Sequence, residues 1–358
     1  MTVLRSLLLS LTLLAPASAQ AQAWATREVC TVTDPKIDPQ VLPQDLLASL
    51  QDEATKTPNP VGRFWRIQSP DGAVSHLWGT AHSNDPLLLD LPVIVQKRIS
   101  GARVVAFEFD PTAPTREALN QSNDWDPYRQ FDDGFIFEDT GLDPKIIHWI
   151  ETRLKGMGLG SDAADNLTLP ATAEFLLTDP CDDFAAGIIP VQDSYIQTLG
   201  LLAGAEILGL EPANAFEKHL KAPENEGTVL SILAVYGAYQ KPQFNSAERS
   251  TGFALYLQGE LALERQWDRH YLSQIYGKEL ADLYLQRADD YLLHQRNRTF
   301  LETAMPELQQ GGLFMAIGSF HLPGEQGMVE LLRQAGYTVS RIPLPGETPD
   351  VLAEENRE

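Results

Sequence analysis

The chain has 358 residues, with 49 acidic against 27 basic side chains and a formal charge of −22. A surface of that sign repels phosphate backbones and anionic lipid, which argues against nucleic acid as a partner. The length suits one large α/β domain with a helical insertion better than two small cores.

The opening stretch, MTVLRSLLLSLTLLAPASAQAQAW, carries a single charge at Arg5 and an apolar run from Ser6 to Ala15. Small-residue cleavage signals follow at Ala17-Ser18-Ala19 and Ala21-Gln22-Ala23. Residues 1–23 therefore read as a signal peptide, with an apolar run too short for a stable membrane span. No later segment offers a long uninterrupted apolar run, so the expected product is periplasmic or secreted and has no stable span. Cys30 and Cys181 are the only cysteines, and C-x-x-C spacing is absent. In an oxidising compartment such a pair is expected to form a disulfide.

Residues 24–60, rich in Pro, Asp and Gln, read as a loosely structured lead-in that KTPNPVG breaks from the first strand. The sequence GRFWRIQSPDGAVSHLWGTAH predicts two strands around a Pro70-Asp71-Gly72 turn. A helix is expected in LPVIVQKRISGA, with Pro92 near its start and Gly101 at its end, and RVVAFEFD is a third strand. The stretch from Pro111 to Gly200 reads as mostly helical. DSYIQTLGLLAGA is a helix ending at Gly204, before the strand EILGLE. Helical spacing returns from Ala215 to Leu308. GGLFMAIGSFH is then a strand, PGEQGMVELLRQAGY a helix entered through Pro323-Gly324-Glu325, and TVSRIPL a last strand. Strands separated by helices predict an α/β class with a central sheet flanked by helices, as a single domain over residues 61–346. Residues 347–358 read as an acidic flexible tail.

Four apolar runs end in chemistry-bearing residues: His82, Glu108, Glu211 and His321. Gly79-Thr80-Ala81-His82 and Gly318-Ser319-Phe320-His321 repeat one pattern more than two hundred residues apart. Ligands in open α/β sheets gather outside the carboxyl ends of the strands, so the four side chains are expected to converge. Two neutral imidazoles with one or two carboxylates suit a divalent metal such as Zn²⁺, Mn²⁺ or Co²⁺ with a position open for water. A remaining carboxylate would take a proton. The glycine before each histidine permits a sharp turn or a close approach. His76, His148, His219, His270 and His294 lack this placement and read as surface or packing residues. The H-E-x-x-H helix, the G-x-S-x-G elbow, the P-loop and G-x-G-x-x-G are all absent.

The runs LWGTAHSND, VVAFEFD, QDSYIQTLGLLAGAEILGLEPANAFE, LLHQRNRTF and FMAIGSFHLPGEQGMVELLRQAGYTVSRI resemble the TraB/PrgY/GumN family in its GumN-like bacterial branch, related to the Tiki metalloproteases. The likeness covers roughly Phe64 to Pro343. It implies a Tiki-like fold, shared distantly with erythromycin esterases and ChaN-type haem-binding proteins. It also implies a metal-dependent peptidase site using His82, His321 and Glu108. Glu211 matches the family's G-L-E segment, although GLEPANAFE departs from the more usual G-L-E-T followed by a glutamine. Arg296 and Asn297 match an R-N pair and are candidates for orienting carboxylates or stabilising an oxyanion. Asp193 falls on a family position but reads better as the N-cap of the following helix.

The leading expectation is an exported metal-dependent hydrolase acting on a peptide or small-molecule substrate. His82 and His321 would be ligands, Glu108 a ligand or general base, and Glu211 a ligand or orienter. Two alternatives stay open: a non-catalytic binder of haem or another small molecule, and a metal-free esterase-type hydrolase with a histidine base.

Overall fold

The computed structural model describes residues 30–109, 140–156, 167–181, 190–212, 214–241 and 246–349. The signal-peptide stretch, much of the region between Pro111 and Gly200, and most of the acidic tail lie outside the described residues.

Six strands form one mixed sheet: β1 (Phe64–Gln68), β2 (Val74–Thr80), β3 (Val104–Phe109), β4 (Glu206–Glu211), β5 (Leu313–Gly318) and β6 (Thr338–Arg341), in spatial order β4-β3-β5-β2-β1-β6. β4, β3, β5 and β2 run parallel, while β1 pairs antiparallel with both β2 and β6. The Pro70-Asp71-Gly72 turn closes the β1–β2 hairpin, with the Gly72 N–H donating to Ser69 O at 2.9 Å. β-Branched and aromatic residues dominate β1 and β3, and all six residues of β5 are buried, as a sheet covered on both faces requires.

Alternate residues of the strands feed opposite faces. Leu313, Met315 and Ile317 pack with Phe300, Leu308, Met328 and Leu332 from helices Arg296–Gln310 and Met328–Gln334. Phe314 and Ala316 face the other way, against Val95, Ile99 and Ile196 from helices Val93–Ser100 and Gln192–Leu202. The protein is thus an α/β structure with helices on both faces of a central sheet. Full burial of each large apolar side chain contributes about 1.5–3 kcal/mol. A separate helical core joins Ile146 and Ile150, Ile232 and Leu233, Leu272, and Leu285 from helices Pro144–Gly156, Glu226–Ala238, Leu261–Tyr276 and Lys278–Asp289.

Several local expectations shift. The lead-in is not loose throughout: residues 44–54 form an 11-residue helix whose Leu50 and Ala54 pack on Leu255, Ala262 and Leu263. Pro92 and Gly101 do bound the Val93–Ser100 helix as expected, as its N-cap and C-cap residues. The C-terminal helix begins only at Met328. Pro323-Gly324-Glu325 lies before it, because Gly324 takes φ +97° and its N–H donates to Pro58 O at 2.8 Å. Gly204 ends its helix as expected, at φ +81°. Glu347, at the start of the expected tail, is buried in ion pairs with Arg63 at 3.2 Å and Arg341 at 2.9 Å. The fold therefore extends past residue 346. Among the described residues no helix is long and apolar enough to cross a membrane.

The expected disulfide is present, joining Cys30 to Cys181 across a sequence separation of 151. It ties the lead-in to the segment after Phe175. A closed loop of that length restricts the unfolded chain by up to about 5 kcal/mol in the chain-entropy account. The Cys30→Ser/Cys181→Ser protein should therefore unfold at clearly lower urea than the wild type. Coincident unfolding curves would show that the bridge carries no stability.

Candidate active site

The four parallel strands end on one edge of the sheet, and β2 and β5 are direct neighbours with Thr80 opposite Gly318. The repeated glycine-to-histidine pattern therefore starts within one residue of the same depth on two adjacent strands, Gly79 lying opposite Ile317. His82 lies two residues beyond β2, and His321 sits in a 3-10 turn, Ser319–His321, rather than in the strand itself. The two motifs make room for each other. A Cβ on Gly79 would stand 3.0 Å from Ser319 Cα, and one on Gly318 would stand 3.0 Å from His82 Nε2 and 3.1 Å from Glu108 Oε1.

Glu108 is the meeting point. Its Oε1 accepts from Gly318 N at 2.7 Å and lies 3.5 Å from His82 Nε2 and 3.6 Å from His321 Nε2. Its Oε2 accepts from Arg296 Nη2 at 2.7 Å. Arg296 Nε also donates to Glu211 Oε1 at 2.9 Å, so Glu211 joins the site through Arg296. The guanidinium is packed between Phe216 at 4.7 Å and Phe300 at 5.0 Å from its carbon. Arg296, Glu108 and Glu211 are all buried. Removing one partner of such a pair costs about 3–5 kcal/mol, because the other charge is left without compensation.

Each histidine is held through Nδ1 by a group that can only accept. His82 Nδ1 lies 2.9 Å from Asp193 Oδ2, and Thr80 Oγ1 donates to Asp193 Oδ1 at 2.9 Å. Asp193 is thus not the expected N-cap, a position held by Val191; it stands in the first turn of helix Gln192–Leu202 and points across to β2. His321 Nδ1 lies 2.8 Å from Asn297 Oδ1. The Asn297 amide nitrogen donates to His321 O at 3.2 Å and Gln326 O at 2.8 Å, which fixes its oxygen toward the ring. Asn297 therefore orients a histidine, while Arg296 orients carboxylates. With both Nδ1 atoms protonated, both neutral rings present an Nε2 lone pair toward Glu108.

Burial opposes charge on Glu108, His82, His321 and Glu211 alike, and their neighbours decide the outcome differently. Glu108 is held well below the usual carboxylate range because Arg296 and the histidines outweigh burial. Burial also works against the His82 cation, but Asp193 and Glu108 raise its pKa well above the ordinary value; its side chain remains 53% exposed, so solvent screens part of that effect. His321 is pushed down to about 3, chiefly by burial, with Arg296, His82 and His294 adding to the fall against the pull of Glu108. Burial pushes Glu211 up despite its bonds to Arg296.

A buried carboxamide also holds the first histidine turn in place. Gln192 Oε1 accepts from Ala81 N and Trp78 Nε1, both at 3.2 Å, and its amide nitrogen donates to Leu88 O. Tyr256 lies behind it, its hydroxyl 2.9 Å from Gly79 O. Nothing in the local pattern marks Gln192 or Tyr256, since their partners are far away in sequence. A six-residue π segment, Asp290–Gln295, immediately precedes Arg296. Arg296 and Asn297 then open the α-helix Arg296–Gln310, where consecutive side chains point about 100° apart and so serve separate parts of the site. Of the other histidines described, His76 stacks on Phe64 at 5.6 Å and His219 on Tyr291 at 3.6 Å, in the packing roles expected.

The TraB/PrgY/gumN family model matches residues 63–341, which include every residue of this constellation. The chain belongs to the TraB/PrgY/gumN family. No curated protein and no solved structure matches this TraB/PrgY/gumN-family chain. Among the described residues, no group of three or more His, Cys, Asp or Glu side chains stands close enough together to hold a metal ion as placed.

Gly318 has φ −49° and ψ 139°, a conformation open to alanine, so Gly318→Ala tests space alone. The variant should keep its melting temperature within a few degrees while displacing His82 and Glu108. Unaltered His82 and His321 imidazole resonances would contradict that placement. A second expectation concerns the metal-free protein. Because folding lowers the His321 pKa from 6.5 to about 3, the unfolded chain takes up a proton that the folded one refuses. That contribution to stability is fully present above pH 6.5 and declines as pH falls toward 3, by at most about 1.4 kcal/mol per pH unit. Urea midpoints between pH 7 and 5 should fall in the wild type and fall less in His321→Gln. Parallel slopes would remove His321 from the effect.

Proposed function

We propose that this TraB/PrgY/gumN-family chain is an exported metal-dependent hydrolase acting on peptide bonds, with a site organised as in the Tiki peptidases. The observation that carries the reading is the pair of histidines whose Nε2 atoms face one oxygen of Glu108 above the bare Cα of Gly318. With both rings neutral, the two Nε2 lone pairs and the Glu108 carboxylate are all acceptors, so positive charge between them, a metal ion or a proton on His82, is what makes the arrangement favourable. Ligand bonds of about 2.0–2.1 Å around a tetrahedral centre imply donor spacings near 3.4 Å. The Nε2-to-Oε1 separations are 3.5 and 3.6 Å. The leader sequence and the disulfide support an oxidising, extracytoplasmic setting.

His82, His321 and Glu108 Oε1 would hold Zn²⁺, Mn²⁺ or Co²⁺. Such an ion supplies acidity to bound water and polarises the scissile carbonyl. The chain's own residues set the rest. Asp193 and Asn297 keep the two Nε2 lone pairs directed inward, and Arg296 fixes the other oxygen of Glu108. Arg296 is committed to two carboxylates and two aromatic faces, so it acts as a positioning residue rather than an oxyanion donor. Glu211 is the buried counter-charge that holds Arg296. His82 is the member open to solvent, so it would be the ligand nearest an incoming substrate.

The His82–Asp193 pair also favours a second reading, a metal-free hydrolase in which His82 serves as general base toward water. Nothing in the geometry favours haem: both free nitrogens face Glu108 rather than an open slot.

Elemental analysis of protein purified without chelator should find near-stoichiometric Mn, Zn or Co in the wild type and none in His82→Ala/His321→Ala. Peptide cleavage should disappear with chelator and return with that metal. If both proteins stay empty after metal is supplied while chelator-resistant hydrolysis persists, the metal reading fails and the His82–Asp193 reading replaces it.

A further inference from the structure

A cleft of about 280 Å³ opens beside His82. His321 and Glu108 are buried, whereas the His82 side chain is 53% exposed, so this cleft is positioned as the approach to the centre. Its volume lies near the lower end of ligand pockets, about 300–1,000 Å³, which suits one side chain better than an entire small molecule.

The walls define what that side chain would be. Leu176, Leu177 and Pro180 line one part, and Tyr236 and Tyr239 another. The tyrosine wall is built to stay in place. Tyr236 and Tyr239 meet edge to face at 5.8 Å, Tyr239 stacks on Tyr271 at 5.9 Å, and the Tyr271 hydroxyl donates to Ala238 O at 2.7 Å. A fixed aromatic surface loses little entropy when an apolar group settles against it.

Charge argues in the same direction. Apart from His82 at the mouth, the charged groups among the described lining residues are Arg249 and Asp179. They bind each other at 2.7 Å, and the guanidinium carbon lies 4.5 Å from the centre of the Phe253 ring. Asp179 is thus engaged when a basic side chain arrives, and Arg249 when an acidic one does. The chain's −22 charge disfavours acidic residues further.

We propose that this cleft is the specificity pocket of the site, taking one large apolar side chain, aromatic or leucine-like, next to the peptide bond presented to His82 and Glu108. The assignment rests on the hydrolase reading for its bond, but the pocket's selectivity is measurable without turnover. Leu177 is the residue to change, because it is half-buried on the wall and packs against the helical core.

The test measures binding of the N-acetyl amides of phenylalanine, leucine, aspartate and lysine to the metal-free mature protein by saturation-transfer NMR. Phenylalanine and leucine amides should bind about tenfold or more tighter than the charged pair, as burial of a large apolar side chain implies. Leu177→Trp should fill the cleft and abolish that preference. Leu177→Asp should bind the lysine amide more tightly than the wild type does, a gain that misfolding cannot mimic. Equal affinities for all four ligands, or the wild-type ranking retained in both folded variants, would overturn the proposal. Correct ranking in a protein that cleaves no peptide would overturn the hydrolase reading alone, and cleavage without ranking the pocket alone.

Discussion

The Glu108 carboxylate is the interaction on which the rest of the site depends. It is a buried anion, and such a group persists only if its lost hydration is replaced. One oxygen receives Arg296 and the other receives the Gly318 N–H. Arg296 also neutralises Glu211, so two carboxylates share one guanidinium and a unit of negative charge remains uncompensated. Two imidazole nitrogens then face that excess. The fold therefore creates a small volume in which positive charge is favoured, as the raised His82 pKa reflects.

Topology explains why the glycine-to-histidine pattern occurs twice. β2 and β5 are adjacent and parallel, with the two motifs offset by a single residue, so the shared glycine-to-histidine spacing delivers both histidines to the same place. An antiparallel pairing would send them to opposite ends of the sheet. The two glycines are reciprocal: Gly79 admits the backbone of the second turn, and Gly318 leaves the gap that His82 and Glu108 close over. Each glycine serves the other motif's geometry, which neither motif reveals alone.

The strand ends were legible because strand periodicity and the carboxyl-edge rule are local and topological arguments. His82, Glu108, Glu211 and His321 do arrive at one edge. What was not legible is which atom faces which. Asp193 sits at the start of a helix, where a cap is the economical reading, and its partner at β2 is 111 positions away. Glu211 was expected as a ligand or an orienter, and its bond to Arg296 is a pairing set by a helix that comes much later in the chain. The π segment before Arg296 has no sequence signature comparable to a cap or a turn. The helix at residues 44–54 starts after a proline and has no side-chain cap, so the usual start signal was missing.

The two histidines share a motif but not an environment, and the difference assigns their labour. His321 is buried and oriented by a neutral amide, so burial dominates and the ring stays uncharged down to about pH 3. His82 is half open to solvent and oriented by a carboxylate, so its cation is favoured. A neutral, immobile ring is a fixed donor. An exposed ring backed by an anion is more basic, and it alone of the pair can trade a proton with water. Asp193 and Asn297 are thus not interchangeable supports. Exchanging them would leave two oriented rings but reverse which one is poised for proton transfer, with the reactive ring now sealed beneath Phe300 and cut off from the cleft.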